Sequence, residues 1–330
     1  MIITRTPFRI SFFGGGTDYR AWADKYGGCV VATTIDKYCY ITCRHLPPFF
    51  EHKHRIVYSK IENVVDAADI QHPAVRAVLL NHDCDRGLEI HHDGDLPARA
   101  GLGSSSSFTV GLLNALKALQ GRHISQEELA KLAIHIEQDV IRENVGSQDQ
   151  ISAAYGGFNR IEFSPGGGFR VDPIVLPRER LDAFQDRLML FFTGLSRFAS
   201  EIAKSKIENL HERRAELMRM RELTDEGISL LRSDCSLDSF GELLDQGWQY
   251  KRRLSDKVST AEVDKIYDEA RRAGAIGGKL LGAGGGGFML FFVRPEDQPR
   301  VREKLQRLVH VPFRFEQSGS RVVLYQPNGL

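Results

Sequence analysis

The chain has 330 residues, 42% hydrophobic and 26% charged, with a formal net charge of +1. That length suits two domains with separate cores, and the near-neutral balance gives no electrostatic case for nucleic acid or an acidic membrane surface. No segment approaches the roughly 20 apolar residues that span a bilayer, and Thr4, Arg5, Thr6 and Arg9 interrupt the apolar start, so neither a membrane anchor nor a secretory leader is expected. The five cysteines form no CxxC pair. They read as reduced packing residues of a cytoplasmic protein.

In chain order, residues 2–13 read as a strand ending in three glycines, and 19–25 as a short helix. Residues 30–35 and 38–44 are rich in β-branched and aromatic side chains and read as two paired strands, with weaker strands at 55–59 and 88–92. Helices are expected at 105–120 and 126–143, the second opened by Ser125 and Glu128 in capping-box spacing. A hairpin over 156–163 and 168–174 turns at PGGG. Residues 174–186 read as a charged, exposed linker, 187–193 as a buried strand, and 199–256 as a long charged helical region broken near 233–239. A helix at 260–273, a glycine-dense stretch at 277–287, a strand at 288–293, a helix at 295–308 and a strand at 321–326 complete the chain. The mixture predicts an α+β fold, divided into 1–180 and 181–330.

The segment PARAGLGSSSS (97–107) stands directly before an apolar helical run. A helix start presents free N–H groups and the positive end of the macrodipole, which suits a phosphate. Gly101 and Gly103 allow close backbone approach, and Ser104, Ser105, Ser106 and Ser107 can donate to phosphate oxygens or reach a metal ion. GAGGGGF (282–288) satisfies GxGxxG but precedes a strand, not a helix, so a dinucleotide site is rejected. Such a loop, including Gly284 and Gly285, is expected to lie beside phosphates and substrate. There is no GxxxxGK[ST], no HRD or DFG set, no GxSxG and no His/Cys zinc cluster.

Arg9 lies inside an apolar strand, where a cation must be paired or functional. Asp149 falls in a polar loop, where a carboxylate can take a proton or simply form an Asx turn. Glu137 can ligate Mg²⁺ or sit on a solvated helix face. Asp18 can bind sugar hydroxyls or cap the helix after it.

These pieces, in this order, resemble the GHMP kinase superfamily: PFRISFFGGGTD (7–18), PARAGLGSSSS (97–107) and GAGGGGF (282–288). The resemblance implies an N-terminal domain like ribosomal protein S5 domain 2, a C-terminal ferredoxin-like domain, and ATP with substrate between them. By position it makes Asp149 the catalytic aspartate with Arg9 beside it. It makes Ser105 and Glu137 the Mg²⁺ residues, and it places Thr17 and Asp18 in the substrate motif. The stretches FFGGGTDY, TTIDKYCYI, VGSQDQISAAYGGFNRIEF and FFTGLSR look like the heptose 7-phosphate kinase group and the kinase portion of fucokinase. Galactokinases have GEHTD where this chain has GGGTD, which argues against galactose.

The implied reaction moves the ATP γ-phosphoryl to the anomeric hydroxyl of a heptose 7-phosphate. Another sugar such as L-fucose, or a non-catalytic ligand sensor, is the alternative. A sugar phosphate needs a cationic clamp. Arg20, Lys37, Arg99, Arg197 and Lys279 are candidates, with Arg197 preferred. The expected partners are small molecules, and a homodimer is left open.

Overall fold

A computed structural model describes residues 1–82, 86–98, 100–195, 199–210 and 212–327. The strands are β1 (Ile2–Phe13), β2 (Gly28–His45), β3 (His54–Val57), β4 (Ile61–Val64), β5 (Leu88–Gly94), β6 (Phe158–Phe163), β7 (Phe169–Pro173), β8 (Leu188–Phe192), β9 (Ala275–Leu280), β10 (Phe288–Val293), β11 (Val309–His310), β12 (Phe315–Glu316) and β13 (Arg321–Tyr325). The α-helices are α1 (Arg20–Tyr26), α2 (Pro73–Leu80), α3 (Ser104–Leu119), α4 (Gln126–Ile134), α5 (Gln148–Tyr155), α6 (Arg178–Gln185), α7 (Ala199–Asn209), α8 (Arg214–Arg232), α9 (Asp238–Arg253), α10 (Ala261–Arg272) and α11 (Gln298–Lys304).

Among the described residues, nine strands form one sheet around the order β13-β1-β2-β5-β3-β4, with β6, β7 and β12 attached through β2. Four more form a second sheet, β11-β8-β10-β9. The mixed α+β class expected from sequence is therefore present. The last strands return to the first sheet, Ile2 standing opposite Tyr325 and Ile35 opposite Phe315.

Residues 30–35 and 38–44 do not pair with each other. They are two halves of the single strand β2, and β1 runs antiparallel along both. The register slips between Pro7–Tyr38 and Phe8–Ile35, so Asp36 and Lys37 form a bulge rather than a turn. Asp36 is anchored there: its carboxylate and its N–H bond the backbone of Arg314. The expected helix 126–143 also divides. Ser125 and Glu128 make the capping box, but after α4 the chain widens into a π-turn at His135–Val140.

The expected linker 174–186 holds α6, and its Phe184 is fully buried. The phenyl ring lies 5.5 Å from that of Phe12 and 4.7 Å from that of Phe240, with Phe292 of the second sheet 6.1 Å away, centroid to centroid. This aromatic cluster joins both sheets to the helices between them. Replacing Phe184 with Ala should therefore lower unfolding free energy by about 3–5 kcal/mol, as measured by denaturant titration. A loss below about 1 kcal/mol, the range of exposed positions, would show that α6 is peripheral.

Candidate active site

A cavity of about 260 Å³ opens between the end of β1, the start of α3, the segment before α5, and helices α7 and α9. The serine cluster forms one wall. Gly103 takes the left-handed conformation at φ +77° and turns the chain into α3, whose first residues Ser104, Ser105 and Ser106 line the cavity. Ser107 is used differently: its hydroxyl donates to Pro7 O at 2.9 Å and ties α3 to β1.

Arg9 and Asp149 meet as a fork. Arg9 Nε and Nη2 donate to the two carboxylate oxygens, each at 2.8 Å, and Nη1 donates to Gly101 O at 2.7 Å. The Arg9 side chain is 5% exposed, so the pair is shielded and rigid. Asp149 is not in a loop, as its polar surroundings suggested. It stands in the first turn of α5, which forms because Ile151, Ala153 and Ala154 bury a face behind it. A Cβ on Gly103 would lie 3.5 Å from Asp149 Oδ2, so the carboxylate faces the start of α3 directly.

Asp18 does not cap α1. One carboxylate oxygen accepts from Gly16 N–H at 2.8 Å and the other from Gln148 Nε2 at 2.9 Å. Gly146 is glycine because any side chain there would collide with this carboxylate. Burial raises the Asp18 carboxyl above its ordinary value. Thr17 does not line the cavity: its hydroxyl donates to Gly14 O and accepts from Cys29 N–H, so it braces the turn.

Glu137 sits in the π-turn, buried behind the serine wall. Its Oε2 accepts from Ser106 Oγ at 2.8 Å and from Gln150 Nε2. The hydroxyl it touches is thus that of Ser106, whereas Ser105 is the exposed member of the cluster. Burial pushes the Glu137 carboxyl up to about 7, against hydrogen bonds that favour the anion.

The glycine loop after β9 meets the serine loop backbone to backbone. A side chain on Gly282 would strike Gly101, and one on Gly287 would strike Ala100. Gly282 and Ala283 line the cavity; Gly284 and Gly285 do not, and pack against Val258 instead. The glycines are needed for close packing between distant backbones, which is why only the loop's first residues reach the site.

Of the expected clamp residues, Lys279 lines the cavity, with Nζ donating to Phe12 O at 2.6 Å. Arg20 instead pairs with Asp139 at the surface, and Lys37 bonds Asp36. Arg99 and Arg197 lie outside the described residues. Two buried lysines were not anticipated from sequence. Lys251 on α9 donates to Leu280 O and Gly282 O, and Lys206 reaches in from α7. Burial depresses all three ammonium groups, Lys206 to about 8, Lys279 to about 7 and Lys251 well below the usual lysine value. A helical-face reading would have found Lys251, which follows Phe240, Leu244 and Trp248 on one buried stripe.

Two family models match the chain: the GHMP kinases N terminal domain over residues 67–157 and the GHMP kinases C terminal model over 230–310. A D-glycero-alpha-D-manno-heptose 7-phosphate kinase from Campylobacter jejuni is 30% identical over 324 residues, covering 93% of each protein. The crystal structure of a putative sugar kinase from C. jejuni superposes with a TM-score of 0.70 at 28% identity, covering 97% of each chain. A D-glycero-D-manno-heptose 1-phosphate kinase structure from Bacteroides thetaiotaomicron gives 0.73 at 24% identity over 98% of each chain, a likeness of fold. With a serine-lined helix start facing an arginine-held aspartate, and with both family models and a full-length relative in agreement, the chain belongs to the GHMP kinase family and is a phosphotransferase acting on a hydroxyl group.

Proposed function

We propose that the chain is an ATP-dependent sugar kinase that phosphorylates the anomeric hydroxyl of D-glycero-D-manno-heptose 7-phosphate, giving the 1,7-bisphosphate. The observation that carries the reading is the placement of the Asp149 carboxylate against Gly103 at the start of α3. A hydroxyl beside Asp149 would then face a phosphate seated on that helix start. The relative from C. jejuni, named for the heptose 7-phosphate, supplies the sugar.

In this reading Ser104, Ser105 and the free N–H groups of α3 bind the nucleotide phosphates. Asp149 accepts a hydrogen bond from the sugar hydroxyl and orients it. As the oxygen–phosphorus bond forms and the bond to the leaving ADP breaks, the hydroxyl proton passes to Asp149. Arg9 holds the carboxylate in that position through its fork.

The residues present fit Mg²⁺. Glu137 and Ser106 offer adjoining oxygen donors at the serine wall. Among the described residues no three His, Cys, Asp or Glu side chains form a metal cluster, so phosphate oxygens and water would complete the shell, as Mg²⁺ commonly requires. Glu137 with Ser106 or Ser105 would hold the ion. When bound, the ion supplies positive charge to the phosphates.

A coupled ADP-release assay over heptose 7-phosphate, L-fucose, galactose, mannose and mevalonate tests the reading. Heptose 7-phosphate is expected to give the highest kcat/KM. A higher value for an unphosphorylated sugar would overturn the substrate, and tight ATP binding with no turnover of any would favour a sensor.

A further inference from the structure

The cavity carries more positive charge than the protein itself uses. Among the described residues four buried cations line it: Arg9, Lys206, Lys251 and Lys279. Three are held internally. Arg9 is matched by Asp149 and Gly101 O, Lys251 by two carbonyls, and Lys279 by Phe12 O. Lys206 is the exception. It is 5% exposed, yet it has neither a hydrogen bond nor an ion pair among the described residues. An ammonium carries three donors, and with none taken by a described residue they are open to a ligand in the cavity that Lys206 lines.

The position of Lys206 is fixed by its helix. Ala203 and Leu210, three residues before it and four after, are buried with Tyr19, Trp22, Leu217 and Leu254 in one cluster. That spacing places Lys206 on the inward face of α7. Ser205, its neighbour, is tied to Ser255 by a hydrogen bond of 2.9 Å. The side chain is therefore held toward the cavity by packing on both turns of its helix. Lys206 thus reaches the cavity from α7, whereas the serines enter it from the start of α3. Asp18 is the carboxylate that acts on Lys206, and Lys251 and Lys279 stand close enough to repel it.

We infer that Lys206 binds the phosphate group that the sugar substrate already carries, and so selects a phosphorylated over an unphosphorylated sugar. This rests on the sugar-phosphate reading above. The nucleotide phosphates have the serine wall and the α3 start. The acceptor sits by Asp149 and Asp18, and a phosphate on its far end needs a cation outside the serine wall. Lys206, entering from α7, offers such a cation, and none of its donors is taken by a described residue. Lys279 lines the same cavity and gives one of its three donors to Phe12 O.

The test compares wild type with Lys206→Met, which keeps the length and the apolar stem, and with Lys206→Arg, which restores a cation. For Lys206→Met, KM for heptose 7-phosphate should rise about tenfold or more while kcat changes less than about threefold and KM for ATP stays within about twofold. Slow turnover of unphosphorylated heptose should be equal in wild type and variant. Lys206→Arg should recover part of the lost affinity. A KM for the sugar phosphate equal to wild type overturns the inference. A fall in kcat shared by both sugars also overturns it, since it would place Lys206 on the transferred phosphoryl group. Loss of ATP binding in a folded Lys206→Met overturns it as well, since that would place the ammonium on the nucleotide; if Lys206→Met does not fold, Lys206→Gln takes its place in the same comparison. Failure of the underlying reading looks different: wild type itself would then turn over no sugar phosphate, and both statements fall together.

Discussion

Replacing Asp149 with Asn should remove about 10²–10⁴-fold of kcat while ATP still binds with wild-type affinity. The substitution keeps the shape of the side chain and one acceptor for Arg9, but removes both the proton acceptor and the counter-charge in the fork. Because Arg9 is also held by Gly101 O, the guanidinium keeps its place and the serine loop stays anchored. Stopped-assay turnover and nucleotide binding by calorimetry give the two readouts. Near-normal kcat would remove Asp149 from the chemistry. Loss of ATP binding would instead mean that the fork builds the phosphate loop, since it bridges α5 to the segment before α3.

Glu137→Gln should act in opposite directions on activity and on the stability of the nucleotide-free protein. The Glu137 carboxyl titrates near 7 in the fold, against 4.5 for its ordinary value. Between these values the folded protein keeps a proton that the unfolded chain has released. The stability linked to that proton is fully present below about 4.5, falls as pH rises, and is lost above about 7. The linked loss is at most about 3 kcal/mol. Glutamine carries no such proton and still accepts from Ser106 and Gln150. Nucleotide-free Glu137→Gln should therefore match wild type near pH 5 and exceed it near pH 8 in urea unfolding. Turnover should fall by on the order of 10²-fold, with a raised requirement for Mg²⁺. Parallel stability curves for the two proteins would show that Glu137 is already ionised in the fold. An unchanged Mg²⁺ requirement would remove it from the metal site.

Much of the site is legible in local sequence because it is built from local devices. The glycine–serine turn into α3 and the Ser125 capping box each lie within a few residues, and both formed. Arg9 inside an apolar strand required a partner on electrostatic grounds alone, and the fork with Asp149 provides it. What was hidden depends on partners far along the chain. Lys206 and Lys251 belong to helices whose charged composition reads as solvated; burial of the lysine face appears only when α7 packs on α1 and α9 on the second sheet. The separation of Gly282 from Gly284 and Gly285 likewise depends on Gly101 and Val258. That Ser106 rather than Ser105 donates to Glu137 was also hidden, because it depends on how the π-turn at His135–Val140 packs behind α3.

The return of the last strands to the first sheet has a consequence for how the molecule is made. β1 and β2 are made well before β13 and β12, yet β1 pairs with β13 along its outer side, and part of β2 pairs with β12. Until synthesis passes Tyr325, the early half carries an uncapped strand edge, the kind of surface that recruits another chain. The cleft also waits on late residues, since Lys251, Lys279 and Gly282 line it. Pairing strands so far apart in the chain sets a long loop closure before the sheet is complete, a topology that slows folding.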